Sequence, residues 1–157
     1  MSVKIFIHGL ESSNKGTKAV FFHEKFPGMI IPTFTGDLQE RMEKLKKLLS
    51  GKSDLILTGS SFGGLMASLF AMGNESRVKK MVLLAPAINL IENVAHKNRI
   101  ISIPVVIYHG REDMVIPLAQ VKTIAEKIFQ NLTFNVVNDD HFLHKTFKSI
   151  DWQDLLA

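Results

Sequence analysis

The 157-residue chain has no cysteine, which excludes a disulfide framework and any thiolate-ligated metal site. With one tryptophan, one tyrosine and five prolines, it has neither an aromatic-rich nor a proline-rich tract. No run approaches the roughly 18 apolar residues of a membrane span, so no membrane insertion is expected. No apolar leader precedes the alternating pattern at residues 3–8, so no signal peptide is expected and a cytoplasmic location is. No repeat, linker or charge block divides the chain. Asp139-Asp140-His141 has the start of a metal-ligand pattern but lacks convergent partners, so neither metal nor organic cofactor is expected. The net charge of +4 and sequence pI near 9.4 raise the question of nucleic acid. The lysines, however, are scattered over expected helix faces and no nucleic-acid-binding motif accompanies them, so no nucleic-acid partner is expected. What remains is ordinary globular composition, 46% hydrophobic and 22% charged, suited to one domain over residues 1–157.

Periodicity divides the chain into six short strand patterns alternating with helices. The strands fall at residues 3–8, 29–31, 54–58, 80–84, 104–108 and 132–137. Helices are expected at 17–26 with Thr17 as cap, from Asp37 to about Leu49, at 62–72, at 118–129, and at the end through Trp152 to Leu156. A short one is possible at 90–96. Asp37 and Glu40 form a capping-box pair. The helix they open places Leu38, Met42, Leu45, Leu48 and Leu49 on one face and Arg41, Lys44, Lys46 and Lys47 on the other, which reads as a solvated outer face. Short apolar strands with helical crossovers imply a parallel sheet covered on both faces. Such sheets place their sites beyond the C-terminal strand ends.

One of those ends carries Gly59-Ser60-Ser61-Phe62-Gly63, between a strand pattern and an apolar helix pattern. Gly-x-Ser-x-Gly in that setting is a nucleophile elbow, a turn so tight that the central serine is exposed on a strained backbone. The bland alternative is a glycine-rich β-to-α turn without chemistry. The other strand ends supply His8-Gly9-Leu10, Asp113 and His141, giving a serine, an acid and a histidine in that chain order. A serine hydroxyl needs a base to take its proton, and imidazole titrates near neutrality, so His141 suits the role and activity should fall on the acid side. Asp113 would hold the tautomer and stabilise the imidazolium. The backbone N–H groups of Leu10 and Phe62 are placed to hold an oxyanion.

Each has competitors. Ser60 lacks paired glycines two residues away, Glu112 neighbours Asp113, and Asp139 and Asp140 precede His141. His144 is the main rival base. His8 and His109 suit loop-holding roles, and His23 and His96 are expected to face solvent.

The chain resembles the α/β-hydrolase superfamily, and within it the small bacterial YqiA-type esterases. The resemblance is carried by His8-Gly9-Leu10-Glu11-Ser12-Ser13, Ile30-Ile31-Pro32, Gly59 to Gly64, Pro86-Ala87, Gly110 to Asp113 and His141-Phe142. It implies an α/β-hydrolase fold with a six-stranded parallel sheet in the order 2-1-3-4-5-6, and Ser61, Asp113 and His141 as nucleophile, acid and base. Two departures stand out. Only about 15–18 residues separate the fourth and fifth strand patterns where a lid is usual, so no full cap domain is expected. Asn138-Asp139-Asp140 stands before the histidine where small residues are expected; the added negative charge could disfavour anionic acyl groups or could equally just cap a loop.

The leading expectation is therefore a serine hydrolase acting on small-molecule carboxylic esters of short or medium acyl chain. Leu10, Phe62, Ile88, Met114, Phe142 and Leu143 are candidate pocket walls, although each could equally be core. A thioesterase with the same triad is a second reading, and a non-catalytic binding protein that kept the fold is a third.

Overall fold

The computed structural model describes residues 1–94 and 99–157. Five strands form one sheet: β1 (Val3–Ile7), β2 (Leu55–Ser60), β3 (Val78–Leu84), β4 (Ile101–Gly110) and β5 (Phe129–Val137). They lie in the order β1-β2-β3-β4-β5 and every pairing is parallel. Among the described residues five α-helices accompany them: α1 (Thr17–Lys25), α2 (Leu38–Leu48), α3 (Phe62–Asn74), α4 (Leu118–Ile128) and α5 (Trp152–Leu155).

The sheet has five strands, not six. The Met29-Ile30-Ile31 stretch makes a single parallel bridge, Ile30 with Ile5, on the free edge of β1. Two bonds form it, Phe6 N–H to Ile30 O and Ile30 N–H to Lys4 O, both 2.9 Å. Pro32 has no N–H to extend the ladder, and Pro27-Gly28 turns the chain just upstream, so three residues are left for pairing. The expected edge position is kept while the strand shrinks to one bridge. The fifth expected strand is longer than its pattern, starting at Ile101. Pro104 is accommodated at a register shift against β5.

Alternation along the strands builds two cores. Ile5 and Ile7, Leu55 and Leu57, Met81 and Leu83, and Val105 and Ile107 face α2, α3 and α4. Phe6, Ile56, Val82 and Leu84 face the opposite side, against Ala19 and Phe22 of α1 and Trp152 of α5. Phe22 meets Trp152 edge-on at 4.8 Å between ring centroids, closing that second layer. Both faces are covered, as continuous apolar strands require.

Local details follow the sequence with three exceptions. Asp37 caps α2 by accepting from Glu40 N–H, and the Glu40 side chain accepts from Asp37 N–H, completing the capping box. Gly16, not Thr17, stands at the cap of α1, with no side-chain bond there. Arg41 departs from the expected solvated face and is buried at 4% exposure. Residues 88–93 form a short 3-10 turn with Ile88 and Ile91 in the core. The expected helix there was to run on to His96, which lies outside the described residues. No helix among the described residues is long and apolar enough to cross a membrane.

Candidate active site

The turn from β2 into α3 holds Ser61 at φ +54° and ψ −116°, a backbone that L residues rarely adopt. The geometry depends on its glycines. A methyl at Gly59 would overlap the Gly63 carbonyl, and one at Gly63 would overlap the Ile7 carbonyl at the end of β1. The elbow is thereby pressed against both the start of α3 and the loop that follows β1.

Two further loops bring side chains to Ser61. The loop after β4 supplies Asp113 and the loop after β5 supplies His141. His141 Nε2 lies 3.1 Å from Ser61 Oγ, and His141 Nδ1 lies 2.7 Å from Asp113 Oδ2. A carboxylate accepts, so Nδ1 carries the proton and Nε2 presents its lone pair to the serine hydroxyl. The other Asp113 oxygen accepts from the N–H groups of Val115 (2.9 Å) and Ile116 (2.7 Å), which fixes the carboxylate plane. The Asp113 side chain is fully buried and that of His141 is 10% exposed, so little water competes for these bonds.

The two loops are stitched together. Arg111 N–H donates to Val137 O and Glu112 N–H to Asp139 O. Gly110 allows this approach, because a methyl there would overlap the Asp139 carbonyl. Lys18 Nζ reaches across from α1 to Phe142 O at 2.8 Å, holding the histidine loop from the other side.

The rival residues are placed elsewhere. Glu112 is exposed while its neighbour Asp113 is buried. His144 is exposed and pairs with Asp140 at 2.6 Å, and that pair holds the Asp140 carboxyl below its ordinary range. The Asp139 carboxylate is buried, which pushes its pKa up. The N–H groups of Asp140, Thr146 and Lys145 outweigh that and bring it below the ordinary range. Both acids before His141 are thus engaged away from its ring. His23 is exposed, as expected. Among the described residues no group of acidic or histidine side chains could hold a metal ion.

His8 and His109 hold loops, as expected, but each does more than its position announced. Phe34 N–H donates to His8 Nε2 (2.8 Å), which leaves the proton on Nδ1 to donate to Gly9 O (2.7 Å). Burial lowers the pKa of His8, and the charges of Arg41 and Lys44 add to that effect. His109 Nε2 donates to Ile116 O at 2.9 Å and also lies 3.3 Å from Asp113 Oδ2. Burial pushes its pKa below the ordinary value, so it braces the acid as a neutral ring.

Of the expected pocket walls, Leu10 (51%), Met114 (93%) and Phe142 (58%) are exposed at the rim of the site. Phe62 is half-buried beside them. Ile88 and Leu143 are corrected: both are fully buried in the two cores and offer no surface to a ligand. Ile88 is drawn inward by the 3-10 turn after β3, and Leu143 by packing around Phe147 and Trp152. The N–H groups of Leu10 and Phe62 donate to no group among the described residues.

A model of the dienelactone hydrolase family matches residues 11–138. No curated protein sequence matches the chain. Among solved structures it is similar to alpha/beta hydrolase domain-containing protein 10 from mouse, at 19% identity and a TM-score of 0.76, over 88% of this chain and 81% of that one. It is similar too to Est1E from Butyrivibrio proteoclasticus with ferulic acid bound, at 16% identity and a TM-score of 0.77, over 95% and 84%. A monoacylglycerol lipase from Paleococcus ferrophilus aligns at 12% identity and a TM-score of 0.73, over 93% and 89%. At these identities the neighbours show the α/β-hydrolase fold, and the family match goes further: the chain belongs to the dienelactone hydrolase family.

Proposed function

We propose that the protein is a serine hydrolase that cleaves carboxylic esters through an acyl-enzyme on Ser61. The observation that carries this is the unbroken hydrogen-bonded line from Ser61 Oγ through His141 to buried Asp113, at the strand-end edge of the sheet. His141 Nε2 takes the proton as Ser61 Oγ attacks the ester carbonyl carbon. The oxyanion that forms is held by the N–H groups of Leu10 and Phe62, the latter at the first turn of α3. Collapse expels the alcohol, which takes the proton from His141. Water then repeats the sequence on the acyl-enzyme, releasing the acid and restoring Ser61. Asp113 keeps His141 in the tautomer that presents Nε2 to serine.

Esters are favoured because neighbours of the same fold include Est1E with ferulic acid bound and a monoacylglycerol lipase. Only residues 85–100 separate β3 from β4, and Ile88 and Ile91 among them are committed to the core, which leaves too short a segment to build a cap domain. The exposed apolar rim of Leu10, Met114 and Phe142 suits short or medium acyl chains on a small-molecule ester. Placement among YqiA-type esterases rests on the motifs Gly9-Leu10-Glu11-Ser12-Ser13 and Gly59 to Gly64.

Hydrolysis of p-nitrophenyl esters from C2 to C12 tests the reading. Turnover with an optimum at short or medium length is expected, lost by at least about 10⁴-fold in Ser61→Ala. Wild-type turnover in that variant would assign the nucleophile elsewhere.

A further inference from the structure

Among the described residues, Arg41 is the one buried cation that the proposed chemistry leaves without a task. It sits on α2 between Leu38 and Leu45, three residues after one and four before the other, which turns it inward with the apolar stripe. Its Nε donates to Gly36 O at 2.9 Å, and its Nη2 donates to Leu10 O at 3.1 Å. The guanidinium carbon stands 5.5 Å from the centre of the Phe62 ring. The group therefore touches both residues whose N–H groups the proposed mechanism assigns to the oxyanion. Nη1 is buried without a hydrogen-bond partner, and among the described residues no carboxylate forms an ion pair with Arg41.

The contact with Leu10 has a geometric consequence. The N–H of Leu10 belongs to the peptide whose carbonyl is Gly9 O, and that oxygen accepts from His8 Nδ1 (2.7 Å) and Ser12 N–H (3.2 Å). Carbonyl and N–H point opposite ways in a trans peptide, so holding one aims the other. The next peptide, through Leu10 O, is held by Arg41. Both peptide planes that flank Leu10 are clamped, one from the loop after β1 and one from α2. A buried cation without an acid partner is expensive, and apolar residues of similar volume in such places are often neutral or stabilising. Its expense is explained if the positive charge and the clamp act on the site.

We propose that Arg41 is the positioning residue of the oxyanion hole: its guanidinium fixes the Leu10 backbone, packs on Phe62, and lends unpaired positive charge to that side of the site. The inference rests on the serine-hydrolase reading and adds a residue to it. A displaced oxyanion donor loses much of its effect, because removing one outright costs about 10²- to 10³-fold and ångström-scale misplacement about 10²-fold.

The test compares wild type, Arg41→Met, Arg41→Lys and Ser61→Ala on a p-nitrophenyl ester, with active sites counted by the fluorophosphonate end point. Arg41→Met should lower kcat per titrated site about 10- to 100-fold and leave KM within about threefold. An alkyl boronic acid, whose tetrahedral adduct on Ser61 places an oxygen in the hole, should bind more weakly by a similar factor. The thermal midpoint should hold or rise, since the unpaired charge is gone. A purely structural arginine would give the reverse: a fallen midpoint, with kcat per titrated site and boronate affinity kept, and that result overturns the proposal. If Arg41→Met does not fold, Arg41→Lys decides. It keeps the charge but not both hydrogen bonds, so kcat should fall about 3- to 10-fold with matching loss of boronate affinity, whereas kcat within twofold of wild type overturns it. Full turnover by Ser61→Ala would overturn the serine reading and this inference together. Loss in Ser61→Ala with an unaffected Arg41→Met would overturn this inference alone.

Discussion

Two carboxylate–histidine pairs draw their histidines from the loop after β5, and their bond lengths barely differ. Asp113 and His141 meet at 2.7 Å, and Asp140 and His144 at 2.6 Å. Their surroundings differ in every other respect. The first pair joins side chains from two separate loops, with the carboxylate fully buried and the ring 10% exposed. The second joins residues four apart on one loop, with side-chain exposures of 69% for the histidine and 46% for the acid. In the inner pair the acid accepts two further backbone bonds, and the far nitrogen of the ring meets Ser61. In the outer pair water competes for every bond and the far ring nitrogen has no serine to serve. Length and chemistry do not separate these pairs; burial and the third partner do.

The contrast can be broken most severely from the inside. Asp113→Asn should keep the fold but remove the acceptor that sets the His141 tautomer, lowering kcat about 10³- to 10⁴-fold. Steady-state kinetics beside a circular dichroism spectrum would check it, and a loss under tenfold would remove Asp113 from its role. Gly110→Ala acts on the loops, not the pair. Its methyl collides with the Asp139 carbonyl and should push the Asp113 loop from the His141 loop, costing about 10- to 100-fold in kcat. The outer pair, being local, should survive that change, and two-dimensional NMR of the His144 ring would follow it.

A smaller effect concerns stability. Burial holds His8 and His109 below the ordinary histidine value. In the unfolded chain both take up protons near pH 6.5, whereas in the folded chain they resist. The unfolded state therefore binds more protons as pH falls, so their contribution is complete above about pH 6.5 and is lost below it. The urea midpoint should drop between pH 7.5 and pH 5; a level midpoint would contradict neutral buried rings. The smallest expected effect is His144→Ala, which should leave kcat within twofold and the thermal midpoint within about 2 °C. A large loss of turnover there would erase the distinction between the pairs.

The inner constellation was legible in the sequence because each member directly follows a strand, and a parallel sheet collects its strand ends at one edge. Ser61 was marked by its glycines and Asp113 by its place after Tyr108-His109-Gly110. Less visible was anything set by tertiary burial. Arg41 reads as one more charge on a basic helix face, although its spacing from Leu38 and Leu45 was an available signal. The second contact of His109 depends on how the loop from Gly110 to Ile116 folds back, which no local pattern encodes. Met29-Ile30-Ile31 has strand propensity, yet the flanking prolines limit it to one bridge. Ile88 and Leu143 follow strand ends as rim residues would, but the turn after β3 and the aromatic layer around Trp152 draw them inside.

The central claim is that Ser61 carries the acyl group. Rapid acid quench during turnover of p-nitrophenyl butyrate, followed by peptide mapping by mass spectrometry, tests it most directly. The account predicts a butyryl adduct on the peptide containing Ser61, accumulating in Asp113→Asn and absent from Ser61→Ala. Turnover with no adduct on that peptide, or an adduct on another residue, would contradict it.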